Sequence, residues 1–157
     1  MTETQSIDLH VNGERVSVTV PVRLSLVDFL RQDLGLTGSH VGCEHGVCGA
    51  CTIEVDGAMV RGCLMLAVQA DGASVTTIEG LAESGRGQAL RRAFAERNAL
   101  QCGYCTPGML ATALEYVEGG GAPDRDAIRQ HISGNYCRCT GYQAVVDAIV
   151  DVIEGNL

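Results

Sequence analysis

Tryptophan is absent from this 157-residue chain, and aromatic residues of all kinds make up only 4% of it. Apolar residues still reach 46%, enough for a core. With so few large side chains each buried residue removes little area from water, so bound metal would help small units of this kind to fold. Basic charge is also scarce: 11 Lys and Arg stand against 19 Asp and Glu, a formal net charge of −8. That balance argues against nucleic acid or an anionic membrane surface as a partner. No run approaches the roughly 18 apolar residues needed to span a bilayer, and Met1 to His10 has neither a basic nor an apolar leader segment. The expectation is a cytoplasmic protein whose thiols stay reduced or bound to metal. A nucleophile constellation, a Walker loop and a G-x-G-x-x-G fingerprint are missing too. Gly85-Arg86-Gly87 lacks the third glycine and the preceding strand pattern. No substrate-transforming site is expected on this chain.

What the chain does have is cysteine, 8 residues in all. Cys43, Cys48 and Cys51 follow the spacing C-x4-C-x2-C, and Cys63 closes the set after eleven more residues. Plant-type [2Fe-2S] ferredoxins put three thiolates on one loop in this way, with the fourth arriving from further along. A loop wrapped around inorganic sulfide needs close backbone approach, which Gly42, Gly46 and Gly49 permit. Zinc would also accept four thiolates, but its structural sites usually pair ligands as two knuckles. A disulfide framework fits poorly, because nothing in the chain points to secretion.

Around this loop the pattern predicts strands. Ile7, Leu9 and Val11 alternate with polar residues, as do Val16, Val18 and Val20, and Asn12-Gly13 between them predicts a type I′ hairpin. Ser25 caps a helix whose Leu26, Phe29 and Leu30 share a face. Ile53 and Val55 turn through Asp56-Gly57 into Met59 and Val60, and Ser74 to Ile78 reads as a last strand. Together they make an α+β sheet with one covering helix.

From Glu79 onward the texture changes. Gly80, Ser84, Gly85 and Gly87 read as a flexible connection, giving units at 1–79 and 88–157 with a linker at 80–87. Leu90, Ala93 and Phe94 share a helical face, with Arg86, Arg91 and Arg92 read as solvated. Thr106-Pro107 reads as an N-cap and first helical position, followed by Met109, Leu110, Ala113, Leu114 and Val117 at helical spacing and stopped by Gly119-Gly120-Gly121. Pro123, Asp124 and Asp126 start a third helix. Thr140 to Gln143 has capping-box spacing ahead of Val145, Val146, Ile149, Val150 and Ile153. Four helices in a small all-α bundle are predicted.

The remaining cysteines, Cys102 and Cys105, then Cys137 and Cys139, lie just before two of these helix starts. Helix N-termini favour the thiolate form and an anionic metal centre. On spacing alone C-x2-C with C-x-C leaves zinc open. A thioredoxin-like redox pair lacks its βαβ context.

Gln101-Cys102-Gly103-Tyr104-Cys105-Thr106-Pro107-Gly108-Met109 and Gly134-Asn135-Tyr136-Cys137-Arg138-Cys139-Thr140-Gly141-Tyr142, following the Cys43–Cys63 set, carry a resemblance. Nearly the whole chain resembles the small iron–sulfur subunit of the molybdenum hydroxylases, the family of xanthine dehydrogenase, aldehyde oxidoreductase and bacterial carbon monoxide dehydrogenase. The resemblance implies an N-terminal β-grasp ferredoxin domain and a C-terminal four-helix domain, each with one [2Fe-2S] cluster. Cys43, Cys48, Cys51 and Cys63 would ligate the solvent-nearer cluster, and Cys102, Cys105, Cys137 and Cys139 the buried one. It also implies that Gln101 hydrogen-bonds the molybdopterin of a large partner subunit and that Cys139 lies beside the pterin's amino group. Electrons would pass from molybdenum through both clusters to FAD on a medium subunit or to another acceptor, in a dimer of heterotrimers. A stand-alone ferredoxin-type carrier with a zinc-stapled helical module is the rival.

Other residues draw plainer readings. His45 is expected to be solvated, because a Rieske site needs two His in place of two Cys. His10, His40 and His131 are expected at the surface, and Met109 in the core. Tyr104, Tyr136 and Tyr142 are expected to pack around the second cysteine set. Glu115, Glu118, Asp124 and Asp126 read as solvated helix ends.

Overall fold

The computed structural model describes residues 3–156; Met1 and Thr2, the first residues of the segment read above for leader features, lie outside it with Leu157. Strands β1 (Thr4–Val11) and β2 (Glu14–Pro21) pair antiparallel with Ile7 opposite Val18 and Leu9 opposite Val16. Asn12 and Gly13 have φ of 51° and 85°, the two left-handed residues that a type I′ turn requires. A second such turn, Asp56-Gly57, joins β3 (Thr52–Val55) to β4 (Ala58–Arg61). Strand β5 (Ser74–Thr76) slots between the hairpins, parallel to β1 and antiparallel to β3, giving a 5-stranded sheet of order β2-β1-β5-β3-β4.

Helix α1 (Leu26–Asp28) continues as a π-helical turn, Phe29–Asp33, and covers one face of the sheet. The Ser25 hydroxyl accepts the Asp28 N–H at 3.2 Å, as the cap reading anticipates. Leu26, Phe29 and Leu30 are fully buried against Leu9, Ile53 and Val75. Each such side chain contributes about 1.5–3 kcal/mol by leaving water.

The second half is helical: α2 (Ile78–Leu81), α3 (Gly85–Glu96), α4 (Thr106–Glu118), α5 (Arg125–Ile132) and α6 (Gln143–Glu154). Its own core gathers Leu90, Phe94, Met109, Leu114, Ile128, Ile132, Val146 and Ile149. Arg97 on the end of α3 clamps Asp151 of α6 with a second contact at 2.8 Å, and Arg86 donates to the Val117 carbonyl at 2.6 Å. So Arg86 satisfies the end of α4 instead of standing free. The helix expected after Pro123 starts there, and Asp124 caps it, accepting from Ala127 N–H at 2.7 Å.

Four local expectations give way. The last strand stops at Thr76, because the Thr77 N–H turns to Asn12 Oδ1 at 2.9 Å and Ile78 opens α2. Part of the segment read as a flexible connection is helical, with Ser84 capping α3 through Gly87 N–H at 2.9 Å. The N-cap of α4 is Cys105 and not Thr106, since the Cys105 carbonyl already accepts from Met109 N–H at 3.0 Å. The N-cap of α6 is Tyr142 and not Thr140, whose hydroxyl is engaged at a cysteine. Among the described residues no helix is long and apolar enough to cross a membrane.

Candidate metal centres

Each half presents four cysteines. On the loop before β3, Glu44, Gly46 and Gly49 take left-handed φ of 58°, 81° and 76°, which curls the backbone around its own sulfurs. The Cys43 sulfur accepts the Cys48 N–H at 3.4 Å. That bond, and then the His45 N–H, bring the Cys43 thiol down to about 6. Cys51 is buried, which pushes its thiol up to about 11, with Cys63 as its neighbour. The β3–β4 hairpin delivers Cys63 there, its approach fixed by Gly62 N–H to Cys51 carbonyl at 3.0 Å.

In the helical half pairs form across the fold. Cys102, ahead of α4, sits 3.7 Å sulfur to sulfur from Cys139 in the loop between α5 and α6. The Gln101 side-chain amide donates to the Cys139 carbonyl at 2.9 Å and holds those two loops together. Cys105 and Cys137 make the other pair, and burial followed by that neighbour pushes the Cys105 thiol up to about 12. Burial would also raise Cys137, but the Thr140 hydroxyl and N–H and the Cys139 N–H together outweigh it and the thiol comes out lowered.

A [2Fe-2S] cluster takes four thiolates, two to each iron, whereas a four-cysteine zinc site gathers all of them on one ion. Each half supplies four thiols, and those of Cys102 and Cys139 lie 3.7 Å apart sulfur to sulfur. The donor set therefore fits a binuclear centre in each half. A bound cation would also offset the unfavourable ionisation of Cys51 and Cys105.

The two loops interlock. The Tyr136 N–H donates to the Cys48 carbonyl at 2.8 Å, and Arg61 of β4 donates to the Gly134 carbonyl at 3.0 Å. Asn135, 1% exposed, donates to the Gly108 carbonyl and to Thr112 Oγ1, both at 2.7 Å. Gly108 lies so close to the first loop that a Cβ there would sit 2.1 Å from the Gly49 carbonyl oxygen. The Tyr104 hydroxyl donates to the Val41 carbonyl at 2.6 Å, and its ring stacks on His40 at 4.6 Å. One cleft of about 240 Å³ is lined by Cys43, Cys48, Cys102, Cys105, Cys137 and Cys139.

Sequence reasoning missed Asn135, Arg61 and Thr140, and only the spacing of Thr140, three after Cys137, offered a signal. Tyr104 and Tyr136, half exposed at 50% and 57%, line the cleft with the second cysteine set as expected, and Tyr142 is half-buried against the helical core. Met109 is in the core and His45 is exposed, as expected. His10 is exposed, His40 is stacked, and His131 is half-buried beside Glu115 at 3.1 Å. Cys102 and Gln101 are exposed in this chain, so the set expected to be the buried one opens to solvent at one corner.

Residues 9–84 match the 2Fe-2S iron-sulfur cluster binding domain and residues 77–150 the [2Fe-2S] binding domain. The chain is 52% identical to the nicotine 6-hydroxylase small subunit of Paenarthrobacter nicotinovorans, covering 92% of this chain and 87% of that protein. It is 54% identical to caffeine dehydrogenase subunit gamma of Pseudomonas sp. (strain CBB1), over 93% of this chain and 89% of that one. Among solved structures, quinoline 2-oxidoreductase from Pseudomonas putida 86 superimposes with a TM-score of 0.91 at 49% identity, over 98% of this chain and 96% of that chain. The chain belongs to the family of small iron–sulfur subunits of the molybdenum hydroxylases and dehydrogenases.

Proposed function

We propose that this chain is the electron-transfer subunit of a heteromeric molybdenum hydroxylase. It would carry electrons between a molybdopterin site on a large subunit and FAD on a medium subunit, or another acceptor. The observation that carries the reading is one cleft bordered by sulfurs of both cysteine sets. Two redox centres built side by side in one chain serve to relay electrons, and a stand-alone carrier with a zinc staple has no use for that juxtaposition.

When bound, each [2Fe-2S] cluster supplies one-electron redox chemistry. Everything else falls to the residues. Cys43, Cys48, Cys51 and Cys63 would hold one centre, and Cys102, Cys105, Cys137 and Cys139 the other. Tyr136 and Arg61 fix the distance between the two loops. Gln101 and Cys139 stand at the exposed corner, where Gln101 keeps its amide oxygen available to a pterin and the large subunit completes the burial. The architecture we assign is a β-grasp ferredoxin domain, a connection that carries α2, and a four-helix bundle of α3, α4, α5 and α6. The complex is assigned to the cytoplasm as a dimer of heterotrimers.

Iron, acid-labile sulfide and zinc per chain, measured on the native complex with low-temperature EPR after reduction, test this. About four iron, about four sulfide and two distinct signals are expected. About two iron with one zinc would demote the helical half to a structural module and remove the relay.

A further inference from the structure

We infer that Thr140 is a positioning residue of the helical-half centre, its hydroxyl setting the reduction potential of that centre through the sulfur of Cys137. The inference rests on the proposed function, because it requires a redox centre in that half.

The Thr140 hydroxyl donates to Cys137 Sγ at 3.1 Å, and the Thr140 N–H points to the same sulfur at 3.4 Å. What aims the hydroxyl is Tyr142. Its backbone N–H donates to Thr140 Oγ1 at 3.3 Å, so a lone pair of that oxygen is engaged and its proton is directed at sulfur. The Tyr142 hydroxyl in turn accepts the Cys137 N–H at 2.8 Å and closes the ring. Tyr142 stands at φ 70°, a left-handed conformation uncommon for a bulky residue, and these two bonds are what hold it there. Among the described residues no other cysteine sulfur accepts from a side-chain hydroxyl.

Reduction adds negative charge to a cluster, and part of that charge resides on its sulfurs. A donor aimed at a ligand sulfur stabilises the reduced form and raises the potential. In a cluster held there, the donor would act on the Cys137 ligand alone of the four. The motif position that read as a helix cap thus acts on the cluster instead.

Redox titration of the native complex followed by EPR tests this with Thr140→Val and Thr140→Ser. Val keeps the shape and loses the donor; Ser keeps the donor. The expected result is a midpoint of one centre shifted to more negative potential in Thr140→Val, the other centre unmoved, and both midpoints at wild-type values in Thr140→Ser. Unchanged midpoints in Thr140→Val with both signals present would overturn the inference and leave the proposed function standing. A wild-type complex with one signal and zinc in the helical half would overturn both. If Thr140→Val does not load its second centre, Thr140→Ala is titrated in its place, and a wild-type midpoint there overturns the inference.

Discussion

The sheet half and the helical half solve one problem by opposite means. Before β3 a single loop brings three sulfurs together with its own backbone, through left-handed turns at Glu44, Gly46 and Gly49, and a hairpin adds the fourth. In the helical half no loop carries more than two. There α4, α5 and α6 must pack before Cys102 meets Cys139 and Cys105 meets Cys137. One cysteine set is thus gathered by local conformation, and the other by tertiary structure.

Removing one ligand from each set should separate the halves most sharply. Cys63→Ser should abolish the sheet-half EPR signal and leave the other, and Cys139→Ser the reverse, each lowering iron by about half. Loss of both signals from a folded Cys139→Ser protein would break the assignment of one centre to each half. Next in size is Gly108→Ala, whose new Cβ would lie 2.1 Å from backbone of the opposite loop. With neither side able to rotate away, a cost of about 3 kcal/mol is expected, read as a lower thermal midpoint with iron lost from both centres. Asn135→Ala leaves the Gly108 carbonyl and Thr112 hydroxyl without their buried donor, and about 1–3 kcal/mol should be lost in denaturant titration.

The smallest effect concerns a surface pair of the sheet half alone. The Arg15 guanidinium, then the Ser17 hydroxyl, hold the Asp8 carboxyl down to about 2 from its ordinary 3.8. A lowered folded value stabilises above the ordinary one and is lost as pH falls toward the folded one. Arg15→Ala should therefore differ from wild type in denaturant midpoint at pH 6, with the difference gone by about pH 2. Because both side chains are largely exposed, the gap should also shrink at high salt.

The contrast between the halves also explains what the sequence disclosed. Asn12-Gly13 and Asp56-Gly57 announce their turns because only a few residues tolerate two successive left-handed positions. Ser25 announces its cap for a similarly local reason. The first cysteine set is legible from spacing, being built by one loop. The second set needed a long motif, because spacing alone does not report which helices become neighbours. Thr140 was misread since a hydroxyl three residues after Cys137 and three before Gln143 suits either partner, and the choice is made in three dimensions. Asn135 stood in the long motif but its role was hidden, because it depends on Gly108 and Thr112, far away along the chain in α4. The interlocking of the two loops was hidden for the same reason.

The hydrogen bond from Tyr136 to Cys48 and the contact of Asn135 with Gly49 bear finally on biosynthesis. The loop of Cys43, Cys48 and Cys51 leaves the ribosome long before Gly134 and Asn135 exist. At the roughly 5–20 residues per second of translation, it waits on the order of 10 s for the residues that wall it in. Without the helical half that loop keeps its three cysteines together but lacks the wall that Asn135 and Tyr136 supply.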